Sequence, residues 1–184
     1  MPSTTRWSSP TIESAAVGFE RLLTRRRRAL PTCPAASCGP DPPRAAPACS
    51  IADMLVESVP NVSEGRRLDV VERLAGALTS VPGVFLLDRT SDSSHNRSVF
   101  TVAGEHDAVS AGLERLVAAA IDEIDMDQHS GEHPRIGAVD VVPFVPLGDT
   151  TLEDCIELAR TFGQRIASRF RPRCAERSAR TRSA

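Results

Sequence analysis

The sequence predicts an α+β fold, a ferredoxin-like split βαβ sandwich in the order β-α-β-β-α-β with one further C-terminal helix. Three observations predict it. Apolar residues recur at helical spacing in three segments, short apolar runs lie between those segments, and Pro, Gly and polar turns punctuate the boundaries. The pattern fills residues 54–170. The 184 residues therefore divide into an extension over 1–53, one domain over 54–170 and a tail over 171–184.

The first strand is Leu55-Val56-Glu57-Ser58-Val59-Pro60, followed by the polar turn Asn61-Val62-Ser63-Glu64-Gly65. A helix over Asp69 to Ser80 carries the stripe Val70, Val71, Leu74, Ala75 and Leu78, and Pro82-Gly83 ends it. Val84 to Asp88 reads as the second strand, Arg89 to Asn96 as a loop rich in Ser and Asp, and Arg97 to Ala103 as the third strand. The longest helix spans Asp107 to Ile124 on Val109, Leu113, Leu116, Val117, Ala120, Ile121 and Ile124, with His106 as a solvated residue at its start. Val139 to Val145 is the fourth strand, bounded by Pro143 and Pro146. Thr150 or Thr151 then caps the last helix, with Glu153 or Asp154 three residues on completing a capping box. Its buried face is Leu152, Cys155, Ile156, Ala159, Phe162 and Ile166, which makes Cys155 a core residue.

Strands two and four are apolar at successive positions rather than alternating, as in Val84-Phe85-Leu86-Leu87 and around Val141-Val142. A sheet with one wet face alternates, so this pattern predicts cover on both faces. The helices cover one. A second subdomain or another copy of the chain is expected over the other.

Composition narrows the function classes. A net charge of −2, with six Phe, one Trp and no Tyr, leaves no basic face with interleaved aromatics, so no nucleic-acid partner is expected. No apolar run approaches the roughly 18 residues of a spanning helix, and the basic run Arg25–Arg28 follows rather than precedes an apolar stretch, so neither a membrane segment nor a secretory signal is read. The five Cys include Cys33, Cys38 and Cys49 without CxxC spacing, which predicts no metal site and a reduced cytoplasmic protein. Residues 1–53 hold eight of the 14 Pro and are expected to be disordered, as is the Arg-rich tail from Arg171. The Arg- and Ser-rich start also fits a transit peptide, or an extension upstream of a usable start at Met54.

Three polar loops interrupt the scaffold at strand ends, where side chains and amides converge. In the first, Asn61 to Arg66, the amides of a Ser/Gly turn at a helix start can hold a carboxylate, or Ser63 or Asn61 simply caps the helix. The second ends in His95-Asn96-Arg97, where Arg97 either binds a substrate carboxylate or is a solvated edge charge. The third, His129-Ser130-Gly131-Glu132-His133-Pro134-Arg135, is the densest functional cluster, and Pro134 restricts His133 to extended backbone. It also matches H-x-x-E-H, a zinc signature that requires both His on one helical face. Gly131 between them and Pro134 after them work against that helix.

With these loops in place, residues 55–170 resemble the formiminotransferase family. The matching stretches are Val59-Pro60-Asn61-Val62-Ser63-Glu64-Gly65-Arg66, the Asn96-Arg97-Ser98-Val99 strand start, the run from Gly131-Glu132-His133-Pro134-Arg135 through Phe144, and Phe162-Gly163-Gln164-Arg165. The resemblance implies transfer of a formimino group from N-formimino-L-glutamate to the co-substrate tetrahydrofolate, in histidine breakdown. It implies His133 as the catalytic residue, Glu132 and Arg135 in orientation or substrate charge, and Asn61, Glu64, Asn96 and Arg97 in the pocket. His129 and His95 are secondary candidates.

The family pattern continues past Phe162-Gly163-Gln164-Arg165 into a second subdomain, with folate between the two halves, usually within a dimer. Arg171 onward matches none of it. The chain is therefore expected to be half of a transferase, completed by a second copy or a partner over the open sheet face. The alternative is a truncated, non-catalytic remnant or a folate- or partner-binding module of the same fold.

Overall fold

The computed structural model describes residues 5–6, 54–132 and 136–181, with the side chains of 54–132 and 136–171. The elements are β1 (Thr5–Arg6), β2 (Leu55–Ser58), β3 (Asn61–Val62), α1 (Leu68–Thr79), β4 (Val84–Asp92), β5 (Arg97–Glu105), α2 (His106–Glu123), β6 (Val139–Val141), β7 (Val145–Leu147) and α3 (Leu152–Thr181). All the strand pairs are antiparallel, in the order β1-β4-β5-β2-β7, with β3 lying between β5 and β6. The fold is α+β.

The expected first strand is present as β2 and β3, and the fourth as β6 and β7. Each is divided near a proline, which has no N–H for the ladder. At the first division the Phe100 amide donates to the Pro60 carbonyl (3.1 Å), and at the second the Ser58 hydroxyl donates to the Pro143 carbonyl (2.6 Å), so both strands stay in the sheet. With the halves joined, the sheet runs second, third, first, fourth, which is the ferredoxin-like order.

One face of the sheet carries the core. Val56, Val62, Leu86, Phe100 and Val102 point to α1 and α2 and meet Leu74, Leu78, Leu113 and Leu116, all buried. The last helix adds Cys155 and Phe162, with the Phe162 ring edge-on to Phe144 at 5.4 Å. Thr151 and Asp154 form the capping box: each accepts the other's backbone N–H, at 3.2 and 2.9 Å. Thr150 instead accepts the Leu55 amide (2.9 Å). Burial, with a smaller contribution from the Asp154 charge, pushes the Cys155 thiol above its ordinary range, consistent with an inert core residue.

Four readings of the sequence change. Arg89 to Asp92 is strand rather than loop, in register with Phe100 back to Arg97 across a β-bulge near Leu87. Cross-strand pairing outweighs local polar composition there: Ser91 and Ser98 share a hydroxyl hydrogen bond (2.8 Å), and buried Arg89 donates to Glu72 (2.6 Å). His106 is buried rather than solvated, because β2 begins against the start of α2 and the His106 amide donates to the Met54 carbonyl (3.0 Å). Leu152, Ile156 and Ala159, assigned to the buried face of the last helix, are exposed, because the flank that packs on the core runs through Cys155, Leu158, Phe162 and Ile166. The last helix also continues to Thr181, past the Phe170 boundary and through Pro172; Arg and Ala, which favour helix, fill six of the eleven positions from 171 to 181. The expectation for residues 1–53 lies outside the described residues, apart from Thr5–Arg6, which pair with Thr90 and Ser91.

Candidate functional site

The three polar loops meet at one end of the sheet, beside β3 and the β4–β5 turn. Asn61 pairs with Val99 on one side and Val141 on the other. Arg97 lies two residues before Val99 on β5, so Asn61, Arg97, Val99 and Val141 share the sheet face that the helices leave open. Arg97 is half-buried, and its guanidinium meets no hydrogen-bond or ion-pair partner among the described residues. Among the described residues, the Asn61 side-chain amide donates only to the nearby Val59 carbonyl (3.3 Å). Both side chains suit a polar ligand lying over this face.

Glu64 is placed differently. It is buried, and one carboxylate oxygen accepts the N–H groups of Arg66 (3.0 Å) and Arg67 (2.9 Å), while the other accepts Arg67 Nε (2.6 Å). The amides at the start of α1, expected to hold an external carboxylate, hold this internal one. Neither Ser63 nor Asn61 caps the helix. Burial by itself would raise the Glu64 carboxyl, but the amides of Arg67 and Arg66 and the Arg67 guanidinium outweigh it and hold the group below its usual range.

Asn96 is likewise engaged at both ends of its amide. It is 7% exposed, with φ of 49°, a left-handed conformation that Asn tolerates better than most residues. Its Oδ1 accepts the Gly65 amide (2.9 Å) and its Nδ2 donates to the Ser130 carbonyl (3.1 Å). Its own carbonyl faces His129 Nε2 at 3.2 Å, which makes that ring nitrogen the donor. Preceding it, Asp92 accepts the amides of Ser94 and His95 on one oxygen and meets His95 Nδ1 at 2.6 Å on the other. The His95 contact, foremost, holds the Asp92 carboxyl below its usual range.

His133 and Arg135, together with Pro134, lie outside the described residues. The chain on either side is closely tied. Upstream, Ser130 is bound by Asn96, and the Glu132 amide donates to the Ser94 carbonyl (3.4 Å), leaving the Glu132 side chain exposed. Downstream, Asp140 Oδ1 accepts the amides of Ile136 (3.0 Å) and Gly137 (3.1 Å). Ser63 donates its hydroxyl to the Gly137 carbonyl (2.8 Å) and its amide to the Ala138 carbonyl (3.0 Å). His129 to Glu132 is not helical, so the geometry a helix-borne zinc pair requires is not formed there. The anchoring roles of Ser63, Asp92 and Asp140 were not read from the sequence. For Asp92, flanked by Ser91 and Ser93, a signal was available, since an Asp in a Ser-rich turn commonly accepts nearby backbone amides.

The family profile described as the formiminotransferase domain, N-terminal subdomain, matches residues 55–177. Glutamate formimidoyltransferase of Streptococcus pyogenes is 47% identical over 112 residues, covering 61% of this chain and 38% of its own length. The same-named protein of Thermoplasma acidophilum is 54% identical over 113 residues, covering 61% and 37%. Formimidoyltransferase-cyclodeaminase of Sus scrofa is 45% identical over 113 residues, covering 61% and 21%. The chain thus spans under two fifths of the length of these relatives.

Proposed function

We propose, for a chain that belongs to the formiminotransferase family as its N-terminal subdomain, that it supplies one wall of a site transferring a formimino group from N-formimino-L-glutamate to tetrahydrofolate. The observation that carries the reading is the convergence of the three family-matching loops at one end of the open sheet face, with the Arg97 guanidinium unpartnered among the described residues. Arg97 suits a carboxylate, which both substrates bear. Val99 and Val141 beside it, and Ile136, which is 97% exposed just after the His133 segment, suit an apolar ring or a covering partner.

In this reading His133 does the proton work. The N5 amine of the folate attacks the formimino carbon, a tetrahedral intermediate forms, and glutamate leaves as the amine. One proton leaves the attacking nitrogen and one reaches the departing nitrogen. An imidazole near neutrality serves as base and then as acid, for about 10²- to 10⁴-fold in rate. Asn61, Arg97, Glu132 and Arg135 face substrate. Glu64 and Asn96, whose polar atoms are committed internally, shape the pocket from behind. Residues 54–170 are the functional unit, and a second copy or a second subdomain covers the open face.

The test is a tetrahydrofolate-dependent formimino-transfer assay on the purified chain, alone and mixed with the remaining portion of the Streptococcus pyogenes relative. Turnover in the mixture is the expected result. A folded chain that gives none in either case sinks the transferase reading. Exposed Val141 and Val145 support a second reading, a folate- or partner-binding module of the same fold without turnover, which folate titration of the same sample would reveal.

A further inference from the structure

Asn96 stands where three segments meet: the β4–β5 turn, the loop before α1, and the Ser130–Glu132 segment of the third loop. Its amide is buried, so each polar end must be satisfied internally, and each is, by a different segment. The approach is too close for larger residues. A Cβ on Gly65 would fall on the Asp92 carbonyl and the Arg97 backbone, and one on Gly131 would fall on the His95 carbonyl. Arg66 reinforces the same junction from outside, donating to the Ser93 carbonyl (2.8 Å) and the Ser130 hydroxyl (3.3 Å).

We propose that Asn96 is a positioning residue: its carboxamide locks the three loops into one unit and fixes Ser130–Glu132, the backbone that leads in sequence to His133. The lock stands on the hydrogen bonds above. Its service to His133 rests on the formimino-transfer reading.

Two substitutions separate the lock from a merely local role in the turn. Asn96→Gly keeps the left-handed backbone accessible but removes both amide bonds. Asn96→Asp keeps an acceptor for the Gly65 amide but sets an oxygen against the Ser130 carbonyl, so only the link to the third loop is lost. The readout is amide hydrogen exchange by NMR on the full chain, with the Val102 and Leu113 amides as references for global stability. In Asn96→Gly, Gly65 and Glu132 should both exchange roughly threefold to tenfold faster relative to the references, the factor expected for one lost hydrogen bond. In Asn96→Asp, Glu132 should accelerate while Gly65 holds. Unchanged Glu132 exchange in both variants would overturn the lock, as would uniform acceleration that includes the references. In the transfer assay on the mixture described above, kcat should fall with KM unchanged; a rise in KM alone would assign Asn96 to substrate binding instead. The exchange results decide the lock even if the wild-type chain shows no turnover.

Discussion

The two faces of the sheet are built from the same strands by alternation, yet they differ in what they bury. On β5, Ser98, Phe100 and Val102 turn to the helices and are fully buried, while Arg97, Val99 and Thr101 turn the other way and are only half-buried. At the far edge the contrast widens: Val141 is 53% exposed and Val145 40%, on strands whose companions lie under helices. The helical face holds the buried apolar core. The open face retains a cation, an amide and apolar side chains in positions that packing does not require, and the polar loops gather at its end. Among the described residues, the helices leave Val141 and Val145 of this face exposed.

The sharpest way to break this division is His133→Ala. If the loop end of the open face is where the chemistry happens, transfer in the completed protein should fall by about 10²- to 10⁴-fold with the unfolding curve unchanged. A loss below tenfold would remove His133 from that role. Phe100→Ala tests the opposite face. It should cost about 3–5 kcal/mol in denaturant unfolding, from lost burial and the cavity left beneath α1 and α2. Val145→Ala, on the open face, should change stability by less than about 0.5 kcal/mol. Equal costs at the two positions would mean that the open face is covered within the chain.

Arg97→Ala sharpens the functional half. Removing a charged donor should raise KM for formiminoglutamate about tenfold, with stability unaltered, and Arg97→Lys should restore it only in part. A loss of stability would make Arg97 structural. The smallest effect concerns Glu64. Its folded carboxyl titrates below the unfolded value of 4.5, so its contribution is present above that pH and lost as pH falls through the folded value. Asp69, Asp92, Glu123 and Asp154 are held low in the same direction by surface partners. Acid unfolding below about pH 4.5 should therefore be shallower in Glu64→Gln than in the wild type. Parallel curves would mean that Glu64 binds its amides no more tightly folded than unfolded.

Much of the fold was legible in the sequence because helical spacing is a local signal. The stripes Val70 to Leu78 and Val109 to Ala120 match the buried faces of α1 and α2, and the Thr151–Asp154 capping box lies where the spacing places it. Arg89 to Asp92 was not legible, since four polar residues become strand only when β5 lies alongside. His106 failed for the same reason: its burial comes from β2, which lies some fifty residues earlier in the chain. The loops divide likewise. The family resemblance marked Asn61, Glu64, Asn96, Arg97 and Glu132 together, but neither it nor the spacing could separate those facing outward from those used internally.

What the sequence determined by itself was therefore the inventory: an α+β order, the three helices of residues 54–181, and three polar loops whose residues match one family. Periodicity and short motifs depend on neighbours a few residues apart, and those are printed in the chain. What only the tertiary structure decided was the division of labour. Glu64 turns to the amides of Arg66 and Arg67, and Asn96 ties Gly65 to Ser130, whereas Arg97 remains on the open face without a partner among the described residues. A polar side chain is committed or available according to which distant backbone groups packing brings within hydrogen-bond distance.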